Sequence, residues 1–151
     1  MITEVNNIDE MLNLGQKIGR NVRGRLVIEL IGDVGAGKTT LTKGIARGMG
    51  IDEAVQSPTF NLNRLYEADS GVRLSHYDFY RLNGAGVMAD ELSETILDDR
   101  TVTVVEWSDV VSGVLPKDRL VISIQAVSDD SRRLDITADG EISRSVLESI
   151  S

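Results

Sequence analysis

The chain has 151 residues, 41% apolar and 26% charged, which is the composition of an ordinary folded domain, and it contains no cysteine. That excludes a disulfide framework, a thiolate metal site and a cysteine nucleophile. Sixteen basic against twenty-four acidic residues leave a net charge of -8, which repels polyphosphate backbones at long range and argues against a protein that grips nucleic acid by itself.

In chain order, Met1 to Asn7 carries neither the basic start nor the apolar run of a signal peptide. No apolar stretch approaches the length that spans a bilayer. The expectation is a cytoplasmic protein, one domain over residues 1–151, with no membrane partner. Ile8, Met11, Leu12, Ile18 and Val22 then fall near helical spacing, with Gly24 after the last turn. They predict a helix from Ile8 to Val22 whose propensity is lowered by Gly15 and Gly19. Leu26 to Ile31 (LVIELI) is short and almost wholly apolar, as a strand covered on both faces should be. Glycines follow at once, and Leu41, Ile45, Ala46 and Met49 then recur at helical spacing up to Gly50.

Beyond the Ser57-Pro58 break, Thr59 to Tyr66 alternates weakly and is read as a strand. Leu74, His76 and Asp78 alternate with Ser75, Tyr77 and Phe79, which predicts another. Ala89 to Leu97 reads as a helix, leading through Asp98 and Asp99 into a strand at Val102 to Val105. Leu120 to Ile124 and Leu134 to Ile136 read as two closing strands joined by the polar turn Ser128 to Ser131, an antiparallel hairpin. Ser143 to Ile150 is a terminal helix. Helices and strands interleave early and strands pair late, so the expected fold is α/β with a mixed sheet.

Gly32-Asp33-Val34-Gly35-Ala36-Gly37-Lys38-Thr39 fits the phosphate-loop pattern G-x-x-x-x-G-K-[ST] without a mismatch. Its glycines let the backbone turn tightly and leave room for a phosphate chain against the amides. The following helix aims unpaired N–H groups and the positive end of its dipole at the same place. Lys38 can reach the terminal phosphates and the Thr39 hydroxyl can bind magnesium; Thr40 follows in the same turn and is counted with the nucleotide-binding residues. The structural alternative is a glycine-rich strand-end turn with Lys38 merely solvated. A strand before and a helix after favour the phosphate reading.

Hydrolysis needs a metal partner and a group that positions water. Glu106 follows the Val102–Val105 strand, at the carboxyl end where α/β sheets collect ligands. It is a candidate to hold magnesium or orient the attacking water, or else it caps a helix beginning near Ser108. Asp78, in His76-Tyr77-Asp78-Phe79-Tyr80-Arg81, is a second such acid, or a salt-bridge partner of Arg81. His76 is the only histidine, and a lone histidine is more often structural than catalytic; without others, a zinc site is not expected. Thr59, in Ser57-Pro58-Thr59, has a hydroxyl suited to sensing a terminal phosphate, the alternative being an ordinary Ser-Pro turn.

The order G-D-V-G-A-G-K-T-T, S-P-T-F, H-Y-D-F-Y-R-L and V-E-W, from Gly32 to Trp107 in so short a chain, resembles the bacterial TsaE (YjeE) family. Its members are small ATPases needed to make threonylcarbamoyladenosine in tRNA. The resemblance implies a three-layer phosphate-loop NTPase-like domain with a mixed, mostly parallel central sheet and a late antiparallel strand pair. It implies ATP with Mg2+, slow hydrolysis, and assembly with TsaD and TsaB, so that tRNA is met only indirectly. Lys38 and Thr39 then serve phosphate and magnesium, Thr59 the nucleotide-sensing segment, and Asp78 and Glu106 form an acidic catalytic pair beside Trp107. Arg132 resembles an arginine on a late strand that approaches the nucleotide. Val34 stands where many relatives have leucine, and Met11 aligns with a threonine near the base, so the adenine contact is expected to differ. The segment Asn83 to Asp99 matches only loosely.

Two other readings use the same loop. A small-molecule kinase needs an arginine-bearing lid, and Asn83 to Ala89 holds no basic residue. A nucleotide-dependent binding module without significant turnover is barely separated by the motifs. A guanine-specific switch is disfavoured because no N-K-x-D segment occurs.

Overall fold

The computed structural model describes residues 1–55, 63–80 and 86–151. Along the chain run β1 (Ile2–Val5), α1 (Ile8–Arg20), β2 (Leu26–Ile31), α2 (Lys38–Gly48), β3 (Asn63–Glu67), β4 (Arg73–Asp78) and α3 (Val87–Ile96). They are followed by β5 (Thr101–Glu106), a 3-10 helix (Ser108–Val114), β6 (Leu120–Ala126), β7 (Arg132–Ala138) and α4 (Glu141–Ile150). The strand expected from Thr59 begins at Asn63 among the described residues. Strand β1, four residues with only Val5 buried, has too short and polar a pattern to be read in advance.

Among the described residues the strands form one sheet in the order β1-β7-β6-β2-β5-β4-β3. The central four, β6-β2-β5-β4, are parallel. The flanking pairs β1/β7, β6/β7 and β3/β4 are antiparallel, so the expected β6–β7 hairpin is present within a mixed sheet. Parallel strands are covered on both faces, and the residues of β2 divide accordingly. Leu26, Ile28 and Leu30 pack with Met11 and Ile18 of α1, Leu41 and Ile45 of α2, and Val146 and Ile150 of α4. Val27 points the other way, with Tyr77 and Phe79, Leu92 and Ile96 of α3, and Val111 of the 3-10 helix. The result is three layers.

Gly15 and Gly19 do lower helix propensity, but their place in the fold explains them. A Cβ on Gly15 would stand 2.5 Å from the Leu41 carbonyl oxygen, and one on Gly19 would stand 2.1 Å from that of Ile45. On the facing helix, a Cβ at Gly44 would lie 2.4 Å from Leu12 O and one at Gly48 2.3 Å from Gln16 O. Four glycines at helical spacing thus let α1 and α2 meet backbone to backbone. At the other end of the chain, α4 starts after Gly140, which has no side chain to cap it. The Asp118 carboxylate accepts from the Ile142 and Ser143 N–H groups instead, each at 2.9 Å. Burial works against its charge, but hydrogen bonds from the Ser143 hydroxyl and from these main-chain groups hold its carboxyl below the usual range.

Candidate functional site

The loop after β2 bends through left-handed backbone at Gly35 (φ 82°) and Gly37 (φ 110°), which favours glycine over any residue with a Cβ. Gly37 is also the residue before α2 and offers no side-chain cap, so the first-turn N–H groups remain open to a bound anion. The loop is braced within itself: Ala36 N–H donates to Asp33 O at 3.0 Å, and the Lys38 ammonium reaches back to Gly32 O at 2.5 Å. Arg132, at the start of β7, braces it from outside. Its Nε donates to Ala36 O at 3.1 Å and its Nη2 to Gly35 O at 3.4 Å, while Nη1 donates to the carbonyls of Ser128, Asp129 and Ser131.

Parallel pairing of β4 with β5 sets Asp78 directly beside Glu106. Both lie at the carboxyl ends of their strands, level with the loop, at 5% and 4% exposure. Glu106 neither caps the following 3-10 helix nor faces solvent. One of its oxygens lies 3.9 Å from the Lys38 ammonium and the other accepts a hydrogen bond from His76 Nε2. The Asp78 carboxylate accepts from Tyr80 N–H at 2.9 Å; Arg81, its expected ion-pair partner, lies outside the described residues. Burial pushes the Asp78 carboxyl up; the Glu106 charge adds to this, while the Tyr80 hydrogen bond, His76 and Lys38 oppose it. Burial likewise pushes the Lys38 ammonium down, against the opposing pull of Glu106, Asp78 and Asp33.

Trp107 is the one non-glycine residue with positive φ among those described, at 54°, a conformation that costs a bulky side chain roughly 1 kcal/mol or more. The turn brings its ring under Lys38, with Nζ 4.0 Å from the ring centroid, and against Tyr80, centroid to centroid 4.8 Å. A cation held over an indole is attracted by its electron-rich face.

Three recesses adjoin the loop: one, of about 670 Å³, lies between Asp33 and the end of β6, and the other two hold the remaining site residues. The first of these two, of about 420 Å³, is lined by Val34, Gly35, Gly37, Lys38, Thr39 and Thr40 on one side and Asp78, Tyr80, Glu106 and Trp107 on the other. The second, of about 460 Å³, shares Gly35, Gly37 and Thr40 with the first. It adds Ala36 and Arg132, Met11 and its neighbours at the start of α1, and Asp129 and Asp130 of the hairpin turn. Apart from Asp33, on the outer side of the loop, every expected site residue in the described chain lines one of these two recesses or both. Thr59 lies outside the described residues. Reading the sequence missed Tyr80 as a wall, although it follows Asp78 by one strand period, and missed Asp129 and Asp130, which look like plain turn residues. It also set His76 aside as structural. The side-chain groups that could ligate a metal beside Lys38 in the first recess are all oxygens: two adjoining carboxylates and the hydroxyls of Thr39, Thr40 and Tyr80. That is the hard donor set that suits magnesium beside phosphates.

Residues 5–134 match the family described as "Threonylcarbamoyl adenosine biosynthesis protein TsaE". A Bacillus subtilis protein named tRNA threonylcarbamoyladenosine biosynthesis protein TsaE is 40% identical over 129 residues, 83% of this chain and 77% of that one. Its namesake from Streptomyces coelicolor is 37% identical over 139 residues, 87% of this chain and 92% of that one. Among solved structures, Bacillus subtilis YdiB superposes with a TM-score of 0.81 at 31% identity, covering 99% of this chain and 93% of the other. The fold is the phosphate-loop α/β fold. No helix among the described residues is long and apolar enough to cross a membrane.

Proposed function

The chain belongs to the TsaE family of tRNA threonylcarbamoyladenosine biosynthesis, and from that premise we propose that it binds ATP with magnesium and hydrolyses it slowly. As a single domain over residues 1–151 it couples that energy, in the cytoplasm, to a complex with TsaD and TsaB. Those partners hold the tRNA, which an acidic chain of net charge -8 does not attract.

The observation that carries this reading is the convergence in one recess of a buried lysine, an open helix N-terminus and two adjoining carboxylates. The amides of Asp33 to Lys38 and the first turn of α2, with Thr39 and Thr40, cradle the phosphate chain. Lys38 neutralises it from a position stiffened by Trp107. Thr39, Asp78 and Glu106 are the oxygen donors for magnesium, which when bound screens the phosphate charge. Glu106, already oriented, also aligns the attacking water. The second recess, with Met11 and Arg132 in its lining, takes the nucleoside end. Thr59 is assigned to sensing the terminal phosphate.

The test is calorimetric titration of ATP with magnesium into wild type and Lys38→Ala, followed by reconstitution of tRNA modification with TsaD and TsaB. Wild type binds, Lys38→Ala does not, and Glu106→Ala keeps affinity and assembly while modification stops. Equal affinity in wild type and Lys38→Ala would defeat the assignment of the site. Full modification by a Glu106→Ala protein that no longer hydrolyses ATP would reduce the nucleotide to a structural ligand.

A further inference from the structure

We infer that His76 is a positioning residue for Glu106, holding one carboxylate oxygen back so that the other faces Lys38 and the phosphate recess. The inference rests on the ATPase reading above and names how its central acid is set. His76 is the only histidine of the chain and is 0% exposed. It pairs in register with Val104 on β5, while Asp78 pairs with Glu106. Because side chains two apart on a strand share a face, the imidazole sits one rank below the two acids and forms the floor under them. It lines none of the recesses beside the loop, and its one side-chain hydrogen bond among the described residues is to Glu106.

Its hydrogen bonding specifies the arrangement. Nε2 meets Oε2 of Glu106, and a carboxylate only accepts, so the ring proton sits on Nε2. Nδ1 has no hydrogen-bond partner among the described residues. Among the described residues Glu106 is therefore the one group that takes a hydrogen bond from the ring. The other oxygen, Oε1, stands 3.9 Å from the Lys38 ammonium, beyond hydrogen-bond length, and that ammonium donates instead to Gly32 O. Without the imidazole, the carboxylate is free to rotate and close on Lys38. The acid and the ammonium would then satisfy each other rather than water and phosphate.

The experiment compares full-length wild type, His76→Leu and His76→Gln. Gln carries an N–H at about the reach of Nε2, and Leu carries none. His76→Leu is expected to lower kcat for ATP by about tenfold to a hundredfold, the usual effect of losing a partner behind an active-site ligand. The dissociation constant for ATP, measured by calorimetry in magnesium and in EDTA, should change by less than about threefold. His76→Gln recovers most of the rate. Trp107 is the only tryptophan and adjoins Glu106, so its emission in nucleotide-free protein should shift in His76→Leu and not in His76→Gln. If the Leu protein does not fold, His76→Asn replaces it, because its amide stops at the Nδ1 position short of Glu106. Wild-type turnover in the Leu or Asn protein, or Gln as impaired as either with unshifted emission in all, overturns the inference. A wild type that neither binds nor hydrolyses ATP defeats the ATPase reading instead, and the emission comparison then decides the positioning claim alone.

Discussion

Gly44→Ala puts one methyl group into the backbone-to-backbone contact of α1 and α2, and its effect can be worked out from the geometry. The new Cβ would stand 2.4 Å from Leu12 O and 2.9 Å from the Gly15 Cα. Carbon and carbonyl oxygen ordinarily meet no closer than about 3.3 Å, so α1 and α2 must part by roughly 0.9 Å. Both obstacles are backbone, and neither can rotate aside. Overpacking of this kind costs up to about 3 kcal/mol, while alanine returns about 1 kcal/mol in helix propensity. The net loss is about 2 kcal/mol, or a fall of about 4–8 °C in Tm for a chain of this size. Gly113→Ala is the matched control: nothing lies within 4 Å of its Cβ, and its Tm should hold or rise slightly. The second recess has walls from the start of α1 and from the loop before α2, so parting the helices should weaken nucleotide binding as well. Thermal and urea unfolding of both variants provide the check. A Gly44→Ala protein that melts at or above wild type would refute the close-contact argument.

Other perturbations separate the site from the scaffold. Asp78→Asn should raise the urea midpoint of nucleotide-free protein at neutral pH, since a carboxyl raised in the folded state loses stability as pH rises from its ordinary 3.8 through the raised value; the same change should abolish magnesium-dependent turnover. Asp118→Ala removes the borrowed cap of α4 and should cost about 1 kcal/mol at neutral pH in urea unfolding. Its carboxyl is lowered in the folded state, so that stability is present above the ordinary 3.8 and disappears as pH falls through the lowered value; wild type and variant should converge in acid. Arg132→Ala frees the carbonyls of Gly35 and Ala36 and should raise the dissociation constant for ATP about tenfold, with faster amide exchange across the loop.

The eight-residue loop and the strand before it were legible because both are local. LVIELI matches β2 to the residue, and glycine spacing dictates the turn. The acids were legible for the same reason, since the end of an apolar run marks a strand terminus wherever the strand sits in the sheet. Pairing information is what the pattern lacked. Nothing in the sequence says that β4 lies beside β5, and only that adjacency sets Asp78 against Glu106 and puts His76 under both. The glycines of α1 illustrate the same limit. Read along one helix they are defects, and read across two they are the contact surface.

Glu29 follows from this limit with a further consequence. In LVIELI it passes as an interruption of an apolar strand, yet it is buried, on the same face as Val27 and opposite α1 and α2. There it accepts from the Ser108 hydroxyl and from Arg119 Nε, the latter at 2.9 Å. Ser108 follows Trp107, whose left-handed backbone persists only if its surroundings over-determine it. On one side the indole is held by Lys38 and Tyr80; on the other, the next residue is tied to the strand that leads into the phosphate loop. A buried carboxylate is costly to keep unless it is fully paired, and here the pairing spans the two segments that must stay in register for Lys38 to face Glu106. The charge in the middle of β2 thus acts as a strut for the turn at Trp107, and the strand that carries the loop also fixes the residue against which its lysine rests.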